Sequence, residues 1–218
     1  MGKGHLGKLE TLGDEDIGNN AYIGNYKDGN YVQIDNSGLL TLVGDATVWD
    51  DLRFPLIAQK LGGVNDPNFV KVLDNGSGST GLYAYAFDKA AEEEAFFIVQ
   101  FPHQRKSGSN IVPHVHWMPT GTNTGNVVWG LEYSWANING TFGNSTIITV
   151  TDAGSGTADD HLIAYFDAIS GTGKTSSSMM LCRVFRDATN VADTYDEDAA
   201  LLEVDFHIEI DKLGDDTP

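Results

Sequence analysis

From Thr47 onward the chain alternates short apolar runs with clusters of Gly, Ser, Asn and Asp, and nothing sustains a helical period over three turns. The runs span residues 47–56, 69–73, 82–87, 95–101, 111–118, 127–135, 145–151, 161–166, 179–186 and 201–210. Between them lie turn-forming clusters at 75–79, 106–110, 121–125, 137–143 and 153–156. The last run alternates strictly, with Leu202, Val204, Phe206, Ile208 and Ile210 apolar and Glu203, Asp205, His207 and Glu209 polar. Such a strand should turn Leu202, Val204, Phe206 and Ile208 inward, and Glu203, Asp205 and His207 toward water or a partner. Strands of this number and spacing predict an all-β fold, an antiparallel jelly-roll-like β-sandwich with an extended N-terminal arm. The Ala and Glu residues of 89–95 predict one helical turn at most.

Residues 1–46 differ from the rest of the chain. They are rich in Gly, Asn and Asp, and their apolar residues come in short bursts such as Tyr31-Val32-Gln33-Ile34 and Leu39-Leu40-Thr41-Leu42-Val43. These bursts can pair as strands but cannot enclose a core. The chain therefore divides into an arm for docking or anchoring, 1–46, and a sandwich body, 47–218.

Charge narrows the function. Against 31 Asp and Glu stand 13 Lys and Arg, a net −18 among 218 residues, which argues against nucleic-acid binding. Apolar residues at 41% suffice for a packed core. No run approaches the ~20 residues that cross a bilayer, and the first residues lack the apolar middle of a secretory signal. Synthesis in the cytoplasm and no membrane partner are expected. A single cysteine, Cys182, excludes an internal disulfide and, flanked by Leu181 and Val184, reads as a small hydrophobe.

Candidate chemistry is sparse. Residues 168–175 end in Gly173-Lys174-Thr175 and fit a loose phosphate-loop pattern, but the strand-like run 179–186 stands where a helix is required. In Pro113-His114-Val115-His116-Trp117 the two histidines project from one face of a strand and can share a metal ion. With Gly108 ahead of them they resemble the first half of the cupin metal motif, but Thr120 and Gly121 replace its Glu. A cupin-like enzyme would need His103, His161, His207 or Glu132 brought in by folding. Alternatively, three His-x-His pairs around a trimer axis supply six nitrogens, or the pair is simply hydrogen-bonded on a half-buried strand. No Gly-x-Ser-x-Gly elbow is present, and the pairs Asp50-Asp51 and Asp159-Asp160 read as solvated charges or weak calcium ligands. The four Trp and eight Tyr suit a core, an inter-subunit seam or a sugar-binding surface. Neither a catalytic residue nor a cofactor is expected.

As a set, Gly44 to Leu52, Pro113 to Trp117, Trp129 to Tyr133, Ile169 to Lys174, Cys182 to Ala188 and Leu202 to His207 resemble a group of virion proteins of tailed phages. The resemblance covers roughly Gly38 to Gly214. It implies a homotrimeric structural protein of the particle, of the head-fibre, decoration or tail-fibre kind, whose partners are copies of itself and major capsid or tail proteins. The chain ends soon after Gly214, which leaves no long receptor-binding extension in prospect. The competing expectations are a tail-fibre carbohydrate adhesin and the cupin-like metal-dependent enzyme.

Overall fold

A computed structural model describes residues 21–25, 28–35, 37–55 and 61–214. Thirteen strands make three antiparallel sheets, with no α-helix among the described residues. The sandwich is built from two of them. Sheet I carries β11 (Leu162–Tyr165), β8 (Val112–Pro119), β13 (Ala199–Ile210), β6 (Leu82–Phe87) and β5 (Asn68–Leu73) in that order. β4 (Val48–Pro55) pairs with β13 along Glu203–Ile210, beyond the stretch that β6 occupies. Sheet II runs β10 (Thr146–Ala153), β9 (Asn126–Ala136), β12 (Met179–Arg186), β7 (Glu93–Gln100). The chain crosses between the sheets after β6, β7, β8, β10, β11 and β12, so β12 inserts between β7 and β9 while β13 inserts between β4 and β8. That interleaving is the double Greek key of a jelly roll.

The core follows from the alternation. Phe87, Phe101, Trp117, Trp129, Leu131, Met180 and Phe206 are fully buried between the sheets. Each such side chain contributes roughly 1.5–3 kcal/mol by leaving water. Phe87 meets Trp129 edge-on at 5.4 Å, and Trp117 meets it at 6.3 Å. Of the four Trp, three line this core and Trp49 is exposed. Cys182 is buried there too, and burial pushes its thiol pKa far above the ordinary range.

Two expectations require correction. Leu202 does not face inward: the pairing of β13 with β8 shifts between Leu201 and Glu203, so Leu201 is the core residue and Leu202 is the extra residue of a bulge. The helical turn does not form, because the Asp88 carboxylate accepts hydrogen bonds from the Ala90 and Ala91 amides and the chain enters β7 at Glu93.

Of the arm, residues 1–20 lie outside the described residues. β1 (Ala21–Asn25), β2 (Asn30–Ile34) and β3 (Leu40–Val43) pair with one another in a three-stranded meander. As the short bursts imply, no described residue of it is fully buried. The meander meets the body where the Leu42 amide donates to the Asp211 carbonyl. It turns toward β4 at Gly44, whose φ of 68° and closeness to the Gly29 carbonyl admit only glycine.

Candidate functional site

The outward face of sheet I gathers four of the six histidines. On β8 the residues Val115 and Trp117 point into the core, so His114 and His116 point away from it. The bulge at Leu202 sets the parity of β13 to match. Beyond it Val204 and Phe206 face inward, while Asp205 lies opposite His114 and Glu203 opposite His116. On the far side of β13, Asp51 of β4 stands opposite His207. On β11, Tyr165 stands opposite His114, and His161 precedes the strand.

The side chains converge. His114 Nε2 lies 3.6 Å and His116 Nε2 3.3 Å from the same oxygen, Asp205 Oδ2. His116 Nδ1 is 2.6 Å from His161 Nε2, and the two rings stack at 4.9 Å. The His207 ring is 4.7 Å from that of His114, and its Nε2 pairs with Asp51 Oδ1 at 2.8 Å. At the rim Arg53 donates Nε and Nη2 to Glu203 Oε2. Above this floor opens a cleft of about 560 Å³, bordered by Asp51, Arg53, His116, His161, Glu203 and Asp205.

Electrostatically the floor is unusual. His114 and Asp205 are only 2% exposed, and among the described residues His114 Nδ1 and Asp205 Oδ1 have no hydrogen-bond partner. Burial holds the His116 imidazole below its usual pKa, with the Asp205 carboxylate pulling the other way. Two groupings, His114 with His116 and Asp205, and His114 with Asp51 and His207, bring three ligand atoms within 4.8 Å of one another.

Folding thus adds His161 and His207 to the His-x-His pair but not the other two candidates. His103 bonds Ser177 Oγ, and Glu132 sits on sheet II against Arg183 and Ser145. Asp205 was not legible as a site residue, and Asp51 read only as a solvated charge or weak calcium ligand apart from the histidines. The signal that marks Asp205 is Asp205-Phe206-His207, a second pair of ligand types two apart on a strand. At 168–175 the phosphate-loop pattern is a connection between β11 and β12, where Lys174 Nζ donates to the Trp135 carbonyl at 2.7 Å and lies 5.7 Å from its ring.

Sheet II presents a different outer surface. Ile98 of β7 stands beside Leu181 of β12, and these two, 57% and 43% exposed, are flanked by exposed Phe96 and Met179. Arg183 closes one end, paired with Glu92, Glu94 and Glu132 and stacked 4.1 Å over the Phe185 ring.

The chain matches no protein-family model, and no curated protein matches it. Among solved structures it overlaps dimeric latent PorU from Porphyromonas gingivalis at a TM-score of 0.37 and 9% identity, over 76% of this chain and 13% of that one. With TmCBM61, solved in complex with beta-1,4-galactotriose, the TM-score is 0.35 at 13% identity, over 85% and 96%. With a structure of the infectious bursal disease virus Gx strain it is 0.33 at 10% identity, over 83% and 38%. The chain thus spans a small part of the first and well under half of the third. All three scores are low, and the jelly-roll assignment rests on the strand order.

Proposed function

We propose that the chain is a structural protein of a tailed-phage particle, a homotrimeric jelly-roll decoration or head-fibre protein held to the particle through its N-terminal segment. The observation that carries this reading is the exposed apolar strip of Phe96, Ile98, Met179 and Leu181. Apolar side chains adjacent on neighbouring strands form a contiguous patch, and on a chain of net charge −18 such a patch is costly unless another surface covers it. Copies of the same chain are that cover, and closed rotational symmetry stops the association at a finite size. The number three follows from the resemblance to phage virion proteins. Its strings now pair in space: those on β4, β13 and β8 are neighbours in sheet I, and those on β9 and β12 are neighbours in sheet II.

Light scattering on the purified full chain at micromolar concentration should return three times the chain mass. The double variant Ile98→Asp/Leu181→Asp should return one chain mass with an unchanged circular dichroism spectrum, since neither residue belongs to the core. A monomeric wild type refutes the trimer, and absence of the chain from purified particles refutes the virion role.

A second reading, a carbohydrate-binding adhesin, draws on Phe69 and Tyr83. These exposed rings stack at 5.4 Å where the face of sheet I that is buried at Phe87 continues uncovered, a surface on which a sugar ring can lie. Glycan-array binding that is lost in Phe69→Ala and Tyr83→Ala would favour it over the structural role.

A further inference from the structure

We infer that His114, His116 and Asp205 form a binding site for one first-row divalent transition-metal ion per chain, contained within a single protomer and open to the cleft above it. The inference stands independently of the virion reading.

The spacing is that of metal ligands. Donors ~2.1 Å from one ion are ~3.0 Å apart at an octahedral right angle and ~3.4 Å apart at the tetrahedral angle. The two imidazole nitrogens lie 3.3 and 3.6 Å from Asp205 Oδ2, too long for good hydrogen bonds and close to those edges. The protein's own groups leave the site unfinished. Asp205 is a nearly inaccessible carboxylate to which, among the described residues, no lysine or guanidinium is bonded, since Arg53 is committed to Glu203, and its second oxygen has no partner there. Buried charge left in this condition is strongly unfavourable, and a bound cation resolves it.

The surrounding bonds fit the same role. A histidine that ligates through Nε2 carries its proton on Nδ1 and donates it to an outer partner, and His161 Nε2 stands 2.6 Å from His116 Nδ1, where it can accept that proton's hydrogen bond. The alternative trio with Asp51 and His207 is less apt, because those two already satisfy each other. Two nitrogens and one oxygen suit zinc, iron, manganese, cobalt or nickel better than calcium or magnesium, which prefer oxygen alone. Three ligands from two neighbouring strands leave the positions toward the cleft to water or to an oxygen donor from outside.

The test uses the full chain, purified without a nickel column and stripped with chelator. Isothermal titration with Zn²⁺ should give one site per chain, and Co²⁺ should develop visible d–d bands that Zn²⁺ abolishes. His116→Ala and Asp205→Asn should weaken binding by about 100-fold, and His161→Ala by about 10-fold with the stoichiometry kept. If a ligand variant fails to fold by circular dichroism, the wild-type cobalt spectrum and the His161→Ala titration decide. The inference is overturned by a wild type without stoichiometric binding, by folded variants of His116 and Asp205 that bind as tightly as wild type, or by one ion per three chains.

Discussion

Replacing Arg186 tests how the strand that carries Asp205 is held. The guanidinium is fully buried and makes five hydrogen bonds: Nε and Nη2 to the two Asp193 oxygens at 3.0 and 2.8 Å, Nη1 to the Phe87 and Glu197 carbonyls, and Nη2 to the Tyr195 carbonyl. It thereby fixes the connection between β12 and β13. Arg186→Met fills similar volume but strands the buried Asp193 carboxylate, leaving it the Val128 amide at 3.0 Å, and leaves three carbonyls short of a donor. Removing one partner of a buried pair costs about 3–5 kcal/mol, and the carbonyls place this case near the upper end. Urea unfolding followed by tryptophan fluorescence should therefore show a loss of ~5 kcal/mol, which accounts for much of a typical domain's stability. Arg186→Lys, which keeps the charge without the fork, should lie between. In Arg186→Met/Asp193→Leu the stranded charge is gone, so the double variant should be more stable than Arg186→Met alone. A loss below ~1 kcal/mol, or strict additivity in this cycle, would show that the pair does not act as a buried unit.

The other predictions concern single groups. Cys182 should resist thiol reagents in the native protein and react fully in urea, because burial keeps it protonated and covered; fast labelling of folded protein would contradict its place in the core. Burial raises the Glu93 pKa above its ordinary value, outweighing the Asp88 amide that donates to it. A carboxyl whose folded pKa exceeds its unfolded one contributes stability that is fully present below the unfolded value and is lost as pH rises through the folded value. The wild-type melting temperature should thus improve relative to Glu93→Gln as pH falls from about 7 to about 4.5. A wild-type-to-variant difference that stays constant over that range would refute it.

Strand positions were largely legible because alternation and turn chemistry are local. The runs 82–87 and 179–186 coincide with β6 and β12, and the others differ from their strands by one or two residues at most ends. Strand order was legible only as an architecture, since which strand inserts between which others depends on long-range pairing. Alternation misplaces Leu202 because the strict pattern from 202 to 210 continues backward only if no bulge intervenes, and whether one does depends on the partner strand. The adjacent apolar residues Leu201 and Leu202, inside a run that otherwise alternates, are the local trace of that change of face. For the site, the His-x-His spacing was visible, whereas Asp205 lies 89 residues beyond His116 and meets it only through the pairing of β8 with β13.

That one extra residue links fold to chemistry. Before the bulge, Ala199 and Leu201 are the inward residues of β13; after it, Val204, Phe206, Ile208 and Ile210 are. Were Leu202 paired in regular register instead, with Leu201 still opposite Trp117, Glu203 and Asp205 would fall on the core side, opposite Val115 and Pro113, and the histidines would face Leu202 and Val204. The bulge therefore keeps carboxylates out of the core and delivers them to the imidazoles in one step. The two sheets thus present different surfaces: sheet I faces outward with His and Asp, while sheet II faces outward with Ile, Leu, Phe and Met. Association through sheet II would leave the cleft on sheet I open to solvent in every protomer. An ion bound there would join β8 to β13, two central strands of the sandwich, without requiring a neighbouring chain.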